Sequence, residues 1–594
     1  MNAPIAHTET LAASIGPAKA DRRKVLTCIF LLALVARLAH VIAIGYSPFS
    51  NYLVGDAAKY TKWASRIAAG DWVGDTVFYQ APLYPYFLAI IKVTLGDSVV
   101  AVRLVQMFVG ALSCCMLAGA TWNLFDRKAA IVAGVIMSLY APSIFLESLV
   151  QKSVLDLFFI SLILWLTSRI LRESNTQKLW LMLGIGVGGF CLTRENAIAL
   201  VPIFLLWSVL RTFQFKQTTL KETDSVQETD LAQLPKFGKR FQHACFYVLG
   251  ICLLLAPVAI RNYAIGGELH ITTSQLGPNF YIGNNPNATG YYSPLIFARG
   301  DAKHEQNDAI AIAETAMNKK LTAGEVSDFY MQQSLNFIST QPIKWLKLLS
   351  SKVLMACNST EIIDTEDQYV VQNYSPVLFI TGLVFQFGFL LPIGIIGMIQ
   401  QRRRWRKLWP IYAVCLMFAS TLIVFFIFSR YRYPLVPIIA MFAAPTIANL
   451  FDELRQKSRS TQNRSPELKT LDLGNLVIMA AICVVCFLPV INRKLAGSVC
   501  YNNYANQALM RRDYETAERF IELSLLEQPA YSLAFNTRGV LHREQGNRAA
   551  AESNFRKAIQ ISPNYENAKR NLKNLLRTSS LRRNATRILQ RKQK

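Results

Sequence analysis

Residues 21–45 read DRRKVLTCIFLLALVARLAHVIAIG, a charged tuft followed by an apolar run in which Arg37 and His40 are the only basic side chains. A helix rising about 1.5 Å per residue needs about 20 mainly apolar residues to cross a bilayer, and this run is long enough. It shows no signal-peptide cleavage site before the next hydrophobic segment, so it reads as an anchor. Runs of the same kind recur at 99–122, 129–146, 153–171, 179–192, 197–212, 244–260, 376–400, 409–428, 434–450 and 472–491. The expected fold is therefore an all-α polytopic membrane protein with about eleven transmembrane helices. Composition agrees: of 594 residues 52% are hydrophobic and 17% charged, against about 25% charged in soluble proteins. That excludes disorder, a collagen-like fibre and a small disulfide scaffold. The net charge of +25 sits in tufts between apolar runs, which is a membrane pattern and points to no nucleic-acid partner.

Lys and Arg alternate in density along the chain. With the N-terminus inside, segments 1–24, 123–128, 169–178, 211–242, 402–407 and 451–470 hold 25 of them, and the outside segments 46–98, 147–152, 193–196 and 429–433 hold 8. The positive-inside rule then places the N-terminus in the cytoplasm and the C-terminus outside the inner membrane. Two external segments are long enough to fold. The first loop, 46–98, carries Trp72, Phe78, Tyr79, Tyr84 and Tyr86 around Pro82 and Pro85, suited to short helices at headgroup depth. The large loop, 261–375, has turn chemistry at Gly277-Pro278-Asn279 and Gly283-Asn284-Asn285-Pro286, then a polar helical stretch over 301–342. Most of the eleven Cys lie in apolar runs as buried thiols; Cys357 and Cys500 fall outside them, which leaves one disulfide open.

Beyond the last span the pattern becomes soluble amphipathic helix. A 34-residue offset superimposes Ala517 on Ala551, Ile521 on Phe555, Ser524 on Ala558 and Pro529 on Pro563. Period and residue types are those of tetratricopeptide repeats; an amphipathic helical hairpin with chance self-similarity is the alternative. The chain thus divides into a cytoplasmic segment 1–24, a membrane domain 25–491, a repeat-like domain 500–580 with a capping helix over 564–580, and a basic tail 581–594.

Polar groups at membrane depth are costly, so ionisable residues at span ends are functional candidates. This topology gathers Asp56, Glu147, Arg194, Glu195, Arg261, Arg430 and Arg432 on the external face. Carboxylates from different loops beside several Arg suit transfer of a group from a phosphate leaving group: guanidinium binds phosphate bidentately, and carboxylates hold a divalent cation or deprotonate a hydroxyl. A lipid-phosphate donor explains a site at the interface. Each residue also has a plainer reading. Asp56 caps a helix beginning near Ala57; Glu147 caps a span or snorkels; Arg194 and Glu195 form a surface pair; Arg261, Arg430 and Arg432 anchor spans. Arg37, Arg103 and Asp156, inside spans, suggest charge pairing between helices, with Asp156 joined to one of the Arg, and His40 reads as a satisfied interior histidine. Asn287-Ala288-Thr289 and Asn358-Ser359-Thr360 match the glycan sequon too briefly to imply modification.

Gly55-Asp56-Ala57-Ala58-Lys59-Tyr60, Pro82-Leu83-Tyr84-Pro85, Glu147, Thr193-Arg194-Glu195-Asn196, Arg261-Asn262-Tyr263, Tyr281-Ile282-Gly283-Asn284-Asn285 and Ser429-Arg430-Tyr431-Arg432-Tyr433-Pro434, in this order, resemble the bacterial GT-C membrane glycosyltransferases. These are the relatives of protein O-mannosyltransferases and of the lipid A aminoarabinose transferase. The resemblance spans roughly residues 25–450. It implies a GT-C architecture, a polyprenyl-phosphate-linked sugar as donor, and Asp56 as the essential acid of the first loop. It implies that Arg430 and Arg432, with Arg261 and Arg194, hold the donor phosphate, and that Tyr60, Tyr84 and Glu195 are candidates for sugar or acceptor contact. Asp56 and Glu147 are the candidate ligands of a divalent metal, although Glu stands where several members carry Asp.

The expected activity is inverting transfer of a hexose or pentose to an acceptor hydroxyl of a protein or envelope glycan. The repeat segment would present a protein acceptor or dock an assembly partner. A polymerase or ligase of lipid-linked glycans, a transporter, and a non-enzymatic repeat-bearing scaffold are the competing readings.

Overall fold

The computed structural model describes residues 6–50, 52–173, 176–210, 237–300, 304–459 and 472–577. The basic tail 581–594 and most of the charged segments 211–242 and 451–470 lie outside the described residues. Among the described residues there is no strand, only helices and their connections.

Among the described residues, seven helices are long and apolar enough to cross a membrane: Ala20–Gly45, Val99–Leu124, Ser153–Ile170, Phe241–Gly266, Pro376–Gln400, Arg402–Val424 and Ser429–Ser458. Arg127–Leu139 and Ala141–Ser148, bent by 50°, make an eighth if counted as one span. The expected count of about eleven differs for a physical reason. Within the described residues the runs at 179–192, 197–212 and 472–491 form helices Gln177–Cys191, Leu200–Leu210 and Leu473–Cys486 of 15, 11 and 14 residues, lengths short of the ~30 Å hydrocarbon core at 1.5 Å per residue. Leu83–Leu95, inside the first loop, is a further short apolar helix.

Helix Ala20–Gly45 shows how a span sorts its faces. Ile29, Ala33, Arg37, His40 and Ile44 are buried, while Leu31, Val35 and Ile42 are exposed on the outer surface of the bundle, where lipid tails are the fitting solvent. Helices Gln177–Cys191 and Phe237–Gly266 approach so closely that a Cβ on Gly184 would lie 2.1 Å from the Tyr247 carbonyl oxygen. Small residues at such a crossing let backbones meet where burial from water supplies no drive.

The two long loops fold on this base. The first loop carries helices Asp56–Ala68 and Leu83–Leu95, as its aromatic composition suggests. In the large loop Gly277-Pro278-Asn279 lies in the first turn of helix Leu276–Gly283 and does not form the expected turn; proline near a helix start lacks an N–H that would be unpaired there anyway. Glu305–Met317, Ala323–Thr340 and Pro342–Cys357 follow, the second opened by a capping box between Thr322 and Glu325.

The C-terminal segment forms helix pairs Arg493–Met510 with Tyr514–Glu527 and Ser532–Glu544 with Arg548–Ile561, then a helical stretch over 566–577. Arg512 and Gly546, 34 residues apart, both take positive φ, 60° and 83°. Each is followed by an N-cap, Asp513 or Asn547. This region packs on the membrane domain: Phe49 stacks on Phe520 with centroids 5.6 Å apart, and Tyr52 donates to Asp513 Oδ2 at 2.6 Å. Cys357 and Cys500 are free thiols.

Candidate active site

Gly55 sets the first loop at the site. Its φ of 56° and ψ of −126° suit glycine almost alone, and a Cβ there would lie 2.6 Å from Thr365 Oγ1. The next residue, Asp56, begins the helix but makes no capping bond. Its side chain turns to Arg430, whose Nη1 donates to Asp56 Oδ2 at 2.8 Å, while Gln80 Nε2 donates to Oδ1 at 3.3 Å. The capping alternative for Asp56 is thereby replaced by an ion pair.

Arg430 sits at the start of the last long span, in the turn Ser429–Arg432. Its Nη1 also lies 3.1 Å from Asp364 Oδ2 and donates to Gln151 Oε1 at 3.2 Å. Its guanidinium faces the rings of Phe428 and Tyr431. Among the described residues its Nε is buried without a hydrogen-bond partner, an uncommon state for a buried donor unless a ligand completes it. Arg430, Asp56, Asp364, Phe428 and Tyr431 line an open cleft, with Tyr60, Lys152, Gln275, Asn279, Tyr292, Glu305 and Phe426 among its other walls.

Electrostatics divides the three acids of the cleft. Burial pushes the Asp56 carboxyl up, but the charge and hydrogen bond of Arg430 outweigh it and hold the carboxyl below its ordinary range. Burial prevails at Asp364, which is raised despite Arg430. Glu305 is pushed up to about 7 by burial and by the charge of Asp56.

The other expected residues fall elsewhere. Glu147 is fully buried within the bent helix pair: Arg37 Nε donates to its Oε2 at 2.7 Å, and Tyr433 and Ser143 donate to its Oε1 at 2.7 and 2.5 Å. It does not line the cleft, and both of its oxygens are engaged by Arg37, Ser143 and Tyr433, so the Asp56 and Glu147 metal pair does not fit. Among the described residues no three His, Cys, Asp or Glu side chains are grouped to hold a metal ion.

Arg432 pairs with Glu361 at 2.6 Å and lies over the Phe387 ring at 3.8 Å, bracing the loop and not the cleft. Arg261 donates to the Val73 carbonyl and stacks on Phe78 at 3.7 Å, in a neighbouring groove. Arg194 pairs with Asp156 at 2.6 Å and donates to the Arg430 carbonyl at 2.8 Å, so it fixes the backbone beneath Arg430. Charge pairing at Asp156 was expected with Arg37 or Arg103; its partner is Arg194. The Arg194 and Glu195 surface pair is likewise replaced, since Glu195 accepts from Gln275 at 2.7 Å. Tyr60 lines the cleft, whereas Tyr84 is buried and donates to Gln106 at 2.6 Å. His40 is satisfied by Ser375 and Ser148 at 2.8 and 3.1 Å. Asn358 of the second sequon is buried and donates to the Leu488 carbonyl.

Sequence reading missed Asp364 and Glu305. Asp364 belongs to Glu361-Ile362-Ile363-Asp364-Thr365-Glu366-Asp367, four acids in seven residues of the large loop, and that density was the available signal. The strap is shared out: Glu361 to Arg432, Asp364 to Arg430, and Glu366 to the C-terminal region, where Tyr504 donates to it at 2.7 Å and Asn503 donates to the Thr365 carbonyl at 3.0 Å.

The fold and cleft define a helical, polytopic membrane protein with an acid and arginine site built from loops at one end of the bundle. Residues 79–221 match the model of the family described as dolichyl-phosphate-mannose-protein mannosyltransferase, which bears out the resemblance to GT-C glycosyltransferases. A comparison with curated protein sequences gives no match. Among solved structures the chain is similar to the oligosaccharyltransferase AglB of Archaeoglobus fulgidus in complex with an inhibitory peptide and a dolichol-phosphate, at 14% identity and TM-score 0.41, over 85% of this chain and 60% of that one. It is also similar to ArnT of Cupriavidus metallidurans bound to undecaprenyl phosphate, at 14% identity and TM-score 0.33, over 77% and 88%. The chain thus spans about three fifths of the length of the archaeal protein.

Proposed function

We propose that the protein transfers a sugar from a polyprenyl monophosphate to an acceptor hydroxyl at the outer face of the membrane, with inversion at the anomeric carbon. The observation that carries this reading is Arg430, a buried guanidinium that gathers Asp56 and Asp364 in one open cleft and keeps Nε without a partner among the described residues. A phosphate oxygen accepting from Nε would offset the charge that develops as the glycosyl–phosphate bond breaks. Asp56 and Asp364 hold the guanidinium in place for that task, and Arg194 holds its backbone. Phe426, Phe428 and Tyr292 supply apolar and aromatic walls suited to a sugar face and the first units of a lipid chain.

The asymmetry of Lys and Arg supports an N-terminus in the cytoplasm and a cleft on the opposite side. The 34-residue helix pairs support a tetratricopeptide-like region on that same side, suited to an acceptor protein or an assembly partner.

The test is donor choice. The purified protein should consume undecaprenyl-phosphate-linked mannose, or a pentose on the same carrier, and release undecaprenyl phosphate, while a diphosphate-linked sugar stays intact. Consumption of the diphosphate donor alone would favour a glycan polymerase or ligase.

A further inference from the structure

We propose that Glu305, and not Asp56, takes the proton from the attacking hydroxyl. The inference rests on the glycosyl-transfer reading above and assigns a catalytic base within the same cleft.

The argument begins with which carboxylates are free to act. Asp56 has both oxygens committed, Oδ2 to Arg430 and Oδ1 to Gln80, and Asp364 is committed to Arg430. Glu305 lines the same cleft yet makes no hydrogen bond or ion pair with any described residue. It stands at the first turn of helix Glu305–Met317, brought from the large loop to face the first loop and the last span. The charged groups that bear on it are Asp56 and Lys59 from the first loop, Asp364 from the acidic strap and Arg430 from the span end. The titratable hydroxyls beside it are Tyr79 and Tyr292. Tyr79, a wall of the neighbouring groove together with Lys59, keeps a buried hydroxyl with no partner among the described residues.

Chemistry separates the acids in the same way. A carboxylate clamped to a guanidinium is a weak base, because taking a proton means giving up that pair. An unpaired carboxyl in a partly dry cleft, raised to about 7, is matched to proton transfer near neutral pH. In the step, the acceptor oxygen forms a bond to the anomeric carbon as the bond from that carbon to the phosphate oxygen breaks. The bonding pair leaves on polyprenyl phosphate, whose charge Arg430 offsets, and the hydroxyl proton passes to the Glu305 carboxylate.

The full-length protein in detergent, with undecaprenyl-phosphate-linked mannose and water as acceptor, provides the test. Wild type should show a rate that rises with pH to a plateau above about 7. Glu305→Gln should lose roughly 100-fold or more of that rate and its pH limb, and Glu305→Asp should retain part of both. Azide, which attacks without giving up a proton, should restore turnover in Glu305→Gln with glycosyl azide as product, and should do nothing for Arg430→Ala. Unchanged rate and pH limb in Glu305→Gln would overturn the assignment. So would a slow variant that azide leaves slow, since a structural role produces that result. If wild type consumes neither this donor nor the pentose donor, the transfer reading falls and takes the base with it; if wild type is active, only Glu305 is at issue.

Discussion

Tyr504, in the first helix of the C-terminal region, donates a 2.7 Å hydrogen bond to Glu366, two residues beyond the carboxylate that meets Arg430. The C-terminal region therefore forms part of the frame of the cleft. Tyr504→Phe keeps the ring that packs on Phe49 and removes the hydroxyl, costing a part-buried hydrogen bond of about 0.5–1.5 kcal/mol. Donor turnover should fall several-fold with the protein still folded, and adding Asn503→Ala should deepen the loss. Single-turnover donor cleavage measures it, with thermal unfolding as the control. Equal turnover in the double variant would show that the strap holds Asp364 without help.

Arg430→Lys tests the clamp itself. Lysine keeps one positive charge, but its compact ammonium lacks the planar fork that reaches Asp56, Asp364 and Gln151 while presenting Nε. The expected result is a KM for undecaprenyl-phosphate-linked mannose raised ten-fold or more, with kcat also reduced. Arg432→Lys should instead lower the melting temperature and leave KM nearly unchanged, because its contacts are Glu361, the Ala356 and Asn358 carbonyls and the Phe387 ring. A shared KM effect would mean that both arginines meet the donor.

The contrast between these arginines explains how much the sequence could reveal. Charge asymmetry and motif order placed Asp56 and Arg430 on one face, and their contact follows. The motif resemblance gives Arg432 the same task as Arg430, yet residues two apart on a helix point roughly 200° apart, so one enters the cleft and the other leaves it. Glu147 failed similarly: its position near a span end was legible, but the 50° bend at Tyr140 that turns it inward toward Arg37 was not. Asp364 and Glu305 come from coil and a helix start far along the chain, where no periodicity marks a face. Their meeting is set by tertiary packing, including the Gly55 approach to Thr365.

Gly55→Ala should damage the site from that junction. The added Cβ would lie 2.6 Å from Thr365 Oγ1, and the backbone angles disfavour any side chain. Expected are a stability loss of about 1–3 kcal/mol and a larger relative loss of turnover, as Asp56 shifts from Arg430. Thr365→Ala should relieve the clash but not the backbone strain, so the double variant should recover only partly. Full recovery would place the whole effect in the side-chain contact.

The acidic strap also gives stability a pH dependence of definite sign. Burial raises Glu366 to about 7 and Asp367 to about 6, above their unfolded values near 4. A raised carboxyl binds its proton more tightly when folded, so its contribution is fully present below about pH 4 and is lost as pH rises through 6 to 7. The melting temperature should therefore fall between pH 5 and pH 8, and Glu366→Gln should flatten part of that slope. A melting temperature that climbs across the window would show that these carboxyls are ionised in the folded protein.

Glu147→Gln separates structural from catalytic acids. Removing one member of a buried pair leaves the other charge uncompensated, which costs about 3–5 kcal/mol, and Arg37 is fully buried with Glu147 as its carboxylate partner. The variant should be poorly folded or melt far below wild type. Replacing both partners with Met should restore much of the lost stability, since paired hydrophobic residues often match a buried ion pair. If the double variant also regains donor cleavage, Glu147 has no part in the chemistry. A stable double variant that stays inactive would return Glu147 to the active site and require the cleft to extend inward along the bent helix pair.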